Sequence, residues 1–210
     1  PAGNKAFVES WNGTSWSEVA DISSNRTGAG TAGTYTAGLL FGGSVAPVTA
    51  VNESWNGSAW SEENDLNTAR DRSMGQSVGT QTAAMMIGGE GVTVTEQWNG
   101  SSWTEIADMN TARELGGGNV IVTSAIAVGG RLVSPNATSA LVEAYDGTSW
   151  TEVNDLSSGR SYTSTTGTGS GNNNQQSLFY GGATTSSTPN TTATEEFAAA
   201  DFTINPVTTS

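Results

Sequence analysis

Four short apolar runs, each closed by a glycine doublet, set the rhythm of this 210-residue chain: "GLLFGG" (38–43), "AMMIGG" (84–89), "AIAVGG" (125–130) and "SLFYGG" (177–182). None shows helical periodicity, so each reads as a buried strand. Ahead of them lie small-residue stretches such as "TGAGTAGTYT" (27–36) and "MGQSVGT" (74–80). Glycine weakens a strand but lets backbones approach closely, which suits an innermost strand crowded around an axis. Behind each doublet comes an alternating stretch, first met as "VESWNGTSW" (8–16). Its Asn12-Gly13, like Asn56-Gly57, Asn99-Gly100 and Asp146-Gly147, is a favoured centre of a two-residue type I′ hairpin. That turn predicts Trp11 opposite Thr14 and Glu9 opposite Trp16. Phe7, Glu9, Trp11, Thr14 and Trp16 would then share one face, with Val8 and Val19 on the other.

The pattern repeats. Trp11, Trp55, Trp98 and Tyr145 are spaced by 44, 43 and 47 residues, and Trp16, Trp60, Trp103 and Trp150 each follow five later. Asp21, Asp65, Asp108 and Asp155 each precede by five an arginine: Arg26, Arg70, Arg113 and Arg160. A weaker half-copy, "TATEEFAAADFTI" (192–204), has Phe197 where Trp11 sits. Four short strands per unit at this period predict an all-β chain, a single β-propeller domain over 1–210 with four-stranded blades. The units are a half-unit at about 5–20, then about 21–64, 65–107, 108–154 and 155–204. Either the N-terminal hairpin completes the last blade, making four, or the weak half-copy finishes that blade and the hairpin belongs to a fifth. Five is favoured over four.

The order of arginine, small-residue strand, apolar strand ending Gly-Gly, aromatic and tryptophan resembles the kelch repeat, giving four kelch-like repeats and a partial fifth. Kelch units usually have a longer turn between the aromatic and the tryptophan than "WNGTSW". "NGTSW" resembles the Asp-box hairpin of sialidase-like propellers, with Asn12 in place of Asp. In composition and phrase the chain also resembles propeller proteins of marine phages. The kelch resemblance implies that the connections after the Gly-Gly doublets share one rim with the Asp-to-Arg segments.

A residue that recurs once per unit occupies one structural niche. Trp11, Trp16, Trp55, Trp60, Trp98, Trp103 and Trp150 are therefore expected to pack between blades rather than to stack on sugars, each burying a large apolar area. Of the seven basic residues four are the repeated arginines, and 12 of the 20 acidic residues repeat as well. Arg26, Arg70, Arg113 and Arg160 are thus expected to tie loops to carboxylates by charge-assisted hydrogen bonds. The competing expectation is a ring of arginines holding an anion.

Composition narrows the function. A formal charge of −13 leaves no basic stripe for nucleic acid, and no apolar run reaches transmembrane length. Without cysteine or histidine there is no thiol nucleophile, imidazole ligand or Ser–His pair. The histidine- and cysteine-dependent copper oxidase chemistry of a kelch-like propeller cannot carry over. No catalytic, metal or cofactor residue is expected, although a pair of acids for glycoside hydrolysis stays open.

The reading is a non-catalytic interaction module, extracellular or on a virion, part of a larger assembly and binding a protein or a cell-surface glycan. A glycan-binding, lectin-like propeller is the alternative, and a glycoside-processing enzyme a third. Specificity should lie where units differ, in the connections 44–52, 90–95, 131–142 and 183–195. Asp71, Arg72, Glu90 and Arg131 lack counterparts in every unit, which makes them the candidate partner-binding residues.

Overall fold

The computed structural model describes residues 5–74, 79–166, 176–184, 191–198 and 203–206, and these contain strands and turns but no helix. The first sheet is a two-stranded hairpin, β1 (Val8–Trp11) with β2 (Trp16–Val19). The next four sheets are four-stranded and antiparallel. They comprise β3 (Gly30–Thr34), β4 (Ala37–Phe41), β5 (Asn52–Trp55) and β6 (Trp60–Glu62), then β7 (Gly79–Thr80), β8 (Ala83–Ile87), β9 (Thr95–Trp98) and β10 (Trp103–Glu105). The fourth contains β11 (Gly117–Ile121) and β12 (Ser124–Val128). A small ribbon of β13 (Arg131–Leu132) and β14 (Ala137–Thr138) then precedes its outer strands β15 (Val142–Tyr145) and β16 (Trp150–Glu152). The last is β17 (Ser164–Thr166), β18 (Gln176–Tyr180), β19 (Thr194–Ala198) and β20 (Thr203–Pro206). The weak half-copy therefore supplies the two outer strands of the last sheet, and the N-terminal hairpin forms a sheet of its own. The architecture is compatible with a β-propeller.

The hairpin register differs from the expected one. Trp11 pairs with Trp16 and Glu9 with Glu18, across a four-residue loop from Asn12 to Ser15. The Asn12 side-chain carbonyl accepts the N–H groups of Thr14 and Ser15, both at 2.9 Å, which closes a longer loop than a type I′ turn. Asp146 does the same at 2.8 Å, and those bonds hold its carboxyl below the ordinary value. The register sets the aromatic partners directly opposite each other, with their rings tilted by 36–43°. Trp55–Trp60, Trp98–Trp103 and Tyr145–Trp150 have ring centroids 5.3–5.6 Å apart.

These rings also join sheets. Trp103 lies 4.8 Å from Phe41 of the preceding sheet, and the Trp150 indole N–H donates to the carbonyl of Ala107 at 3.0 Å. Trp55, Trp98, Trp103 and Trp150 are buried and Trp60 is half-buried, whereas Trp11 and Trp16 are 49% and 64% exposed. Strands of successive sheets meet: β3 lies against β7, and β11 against β8 and β17.

Each four-stranded sheet is centred on one buried ion pair: Arg26–Glu53, Arg70–Glu96, Arg113–Glu143 and Arg160–Glu195. Arg70 also donates to the carbonyls of Gly88, Thr68 and Met86 at 3.0–3.1 Å. Each glutamate in turn accepts a backbone N–H from the incoming connection: Ser23, Asn67, Asn110 and Ser157, at 2.6–2.9 Å. The arginines are consumed inside the sheets, and burial pulls the guanidinium pKa down at Arg26, Arg70 and Arg113.

Backbone bonds weld successive sheets. The N–H of Gly43 donates to the carbonyl of Arg70, Gly89 to Arg113 and Gly130 to Arg160, at 2.7–3.0 Å. A Cβ on Gly42 would stand 2.6 Å from the Arg70 carbonyl oxygen, which explains the doublet. Closer to the axis, Arg72 N–H donates to Gly28, Leu115 to Arg72 and Tyr162 to Leu115, at 2.7–2.9 Å. These four residues share a left-handed conformation, with φ between 55° and 65°.

Trp103→Ala removes a ring packed against both Phe41 and Trp98, and its expected cost in urea unfolding is about 3–5 kcal/mol. Trp16→Ala, at an open position, should stay within about 1 kcal/mol. Arg113→Ala strands the buried Glu143 carboxylate and should cost a further ~3–5 kcal/mol class of loss.

Candidate recognition rim

The position just after each repeated arginine faces the position just after each glycine doublet. Backbone bridges join Thr27 to Ser44, Glu114 to Arg131 and Ser161 to Ala183, and Asp71 and Glu90 occupy the same two positions in the remaining unit. The backbone scaffold is constant here, and its side chains are not.

This alignment brings all four candidate charges together. Asp71 is buried, with the Glu90 carboxyl beside it. Arg72, with a side chain 45% exposed, reaches Asp71 at 3.5 Å and Glu114 at 3.9 Å. Arg131 grips Glu114 with both Nε, at 2.9 Å, and Nη2, which holds its guanidinium above the ordinary value. Arg131 and Asp71 are thus anchored, while Arg72 and Glu90 are presented: Glu90 is exposed, with φ at 50°.

Glu114 is the member that the sequence reading missed. It is buried at the centre of the cluster, bridging both arginines. Its signal was positional, one residue past Arg113, in the column that also contains Asp71.

Burial, then the neighbouring Glu90 carboxyl, push the Asp71 carboxyl up to about 6, with Arg72 opposing. The cluster therefore takes up a proton on mild acidification. Among the described residues no group of three or more carboxylates is placed to hold a metal ion.

No known protein-family profile matches the chain, and no curated protein matches it. The site is therefore read from its own geometry.

The neighbouring connections close over the cluster. Val133, in the 131–142 connection, packs on Gly91, where an added Cβ would lie 2.6 Å from it. Thr138 donates to the carbonyl of Thr184 at 3.0 Å. Connections from three units therefore touch one another along one rim. Residues 185–190 of the fourth connection lie outside the described residues.

A second surface is aromatic. A cleft of about 490 Å³ separates the N-terminal hairpin from the next sheet, lined by Trp11, Trp16, Tyr35, Trp55 and Trp60.

An acid whose folded-state pKa is raised stabilises the fold in its protonated form, and that contribution is lost as pH climbs from 3.8 to about 6. Asp71→Asn should therefore gain stability over the wild type above pH 6, by on the order of 1 kcal/mol once screening by Arg72 is allowed for. Paired urea titrations across that window check the gain, which should vanish at pH 4.

Proposed function

We propose that the chain is a non-catalytic interaction module of an extracellular structure or virion surface, built as a five-sheet propeller whose rim of variable connections binds a partner protein or host surface. One observation carries this reading. Every repeated arginine is consumed inside its sheet, while the four candidate charges Asp71, Arg72, Glu90 and Arg131 converge on one rim with Arg72 open to solvent. The separate N-terminal hairpin and the four strands already present in the last sheet support the five-sheet form. Resemblance to marine phage propellers points to a bacterial cell surface as the binding partner. No helix among the described residues is long and apolar enough to cross a membrane.

The glycan-binding alternative draws on Trp11, Trp16 and Tyr35, whose rings are open to solvent and line one cleft. Such rings stack on sugars.

Bead-immobilised chain presented to marine bacterial cells and to a glycan array, with sugar release measured in parallel, separates these readings. Cell retention should fall at least tenfold with Arg72→Glu, a reversal of an exposed interface charge, and with removal of residues 133–136. No sugar should be released. Retention indifferent to both changes would move the contact to the Asn-Gly hairpin end. Competition by a free glycan would favour the lectin reading, and released sugar an enzyme.

A further inference from the structure

The N-terminal hairpin is the outer half of a sheet, and the four complete sheets show what its inner half looks like. In each of them the third strand is flanked by an apolar strand, as β5 is by β4 through Phe41–Asn52, Leu40–Glu53, Leu39–Ser54 and Gly38–Trp55. Among the described residues β1 pairs with β2 alone. Where β4 and its neighbours bury Trp55, the equivalent Trp11 is half exposed, as are Trp16 and Phe7. The cleft beside the hairpin runs between Trp11 and Trp16 on one side and Trp55 and Trp60 of the following sheet on the other.

Charge gives the same answer. Glu53, Glu96, Glu143 and Glu195 are each buried against an arginine that precedes the inner strand. Glu9 holds their position in β1, is exposed, and has no arginine among the described residues. Backbone groups repeat the pattern at both ends of the run of sheets. Gly43, Gly89 and Gly130 each donate to the next arginine carbonyl, and Arg72, Leu115 and Tyr162 each donate to the preceding member of the axial chain. Among the described residues the Gly182 N–H and the Tyr162 carbonyl have no such next partner, and the Gly28 N–H and the Arg26 carbonyl have no preceding one.

The geometry points to the β1 edge as a docking site for an added strand pair, delivered by a partner polypeptide and having the chemistry of the repeat's own inner half. That chemistry is an arginine aimed at Glu9, a glycine- and alanine-rich strand, a tight turn, and an apolar strand laid against Val8–Trp11. Its apolar side chains fill the cleft and cover Trp11 and Trp16. A second copy of the chain is a poor donor, because β3–β4, β7–β8, β11–β12 and β17–β18 are each already paired within their own sheets. Strand addition supplies affinity through main-chain bonds and selectivity through alternate side chains. This assignment does not depend on the rim, and Arg72 plays no part in its test.

The probe is a fluorescent peptide of the chain's own inner pair, "RTGAGTAGTYTAGLLFGG" (26–43), with a solubilising tail, titrated into the full chain. Saturable binding is expected, with a blue shift of the tryptophan emission that disappears in a folded Trp11→Ala/Trp16→Ala variant. Glu9→Arg should weaken binding by roughly tenfold or more, the scale of a charge-assisted bond. A peptide bearing Arg26→Glu should restore binding to the Glu9→Arg chain. Absence of saturable binding up to about millimolar peptide, a range that detects contacts of ~4 kcal/mol, overturns the proposal. So does binding indifferent to the charge swap, a chain dimer that buries Trp11 and Trp16 in place of the peptide, or a glycan that occupies the cleft against it.

Discussion

One buried ion pair in each four-stranded sheet organises the molecule. Removing a guanidinium and a carboxylate from water costs several kcal/mol per ion, and their attraction offsets this only when the remaining donors and lone pairs are also met. In the second four-stranded sheet Arg70 meets that condition with carbonyls from three separate places, Thr68, Met86 and Gly88, besides Glu96. Glu96 adds the N–H of Asn67. A single guanidinium thus positions the incoming connection, the end of the apolar strand and the third strand together. Arg113 reaches the carbonyls of Gly129 and Leu141 besides Glu143, with its Nε left without a partner among the described residues.

The rim inherits its geometry from that pair. The residue after each arginine sits against the residue after each glycine doublet, since the ion pair and the glycine weld hold both chain segments. What stands at those two positions is then open to change. Thr27 with Ser44 is small and neutral, Glu114 with Arg131 is a salt bridge, and Asp71 with Glu90 is a pair of acids whose closeness helps to raise the Asp71 pKa. A rigid frame with exchangeable contents suits surface recognition.

The strands and their order were legible in the sequence, because apolar runs, glycine doublets and tryptophans recur at one period, whereas the place of the N-terminal hairpin stayed open between two arrangements. The hairpin register was not legible. Asn-Gly signals a two-residue turn only while the asparagine side chain stays out of the loop, and here Asn12 accepts two backbone N–H groups. Recurrence also concealed a difference: Trp11 and Trp55 belong to closely similar phrases, yet their burial depends on strands far away in sequence. Glu114 looked like one more acid in an acidic chain until the columns of the repeat were aligned.

Beside the aromatic contacts, one link between successive sheets is made by main-chain atoms alone: a glycine N–H and the carbonyl of an arginine whose side chain points elsewhere. Such a coupling is blind to the side chains on either side of it. Any unit that brings a glycine doublet and a buried arginine presents the same plug and the same socket. Units can therefore be duplicated, exchanged or diverge in their loops without compensating changes in their neighbours, and natural variation in this architecture can concentrate on the rim while the seams stay interchangeable.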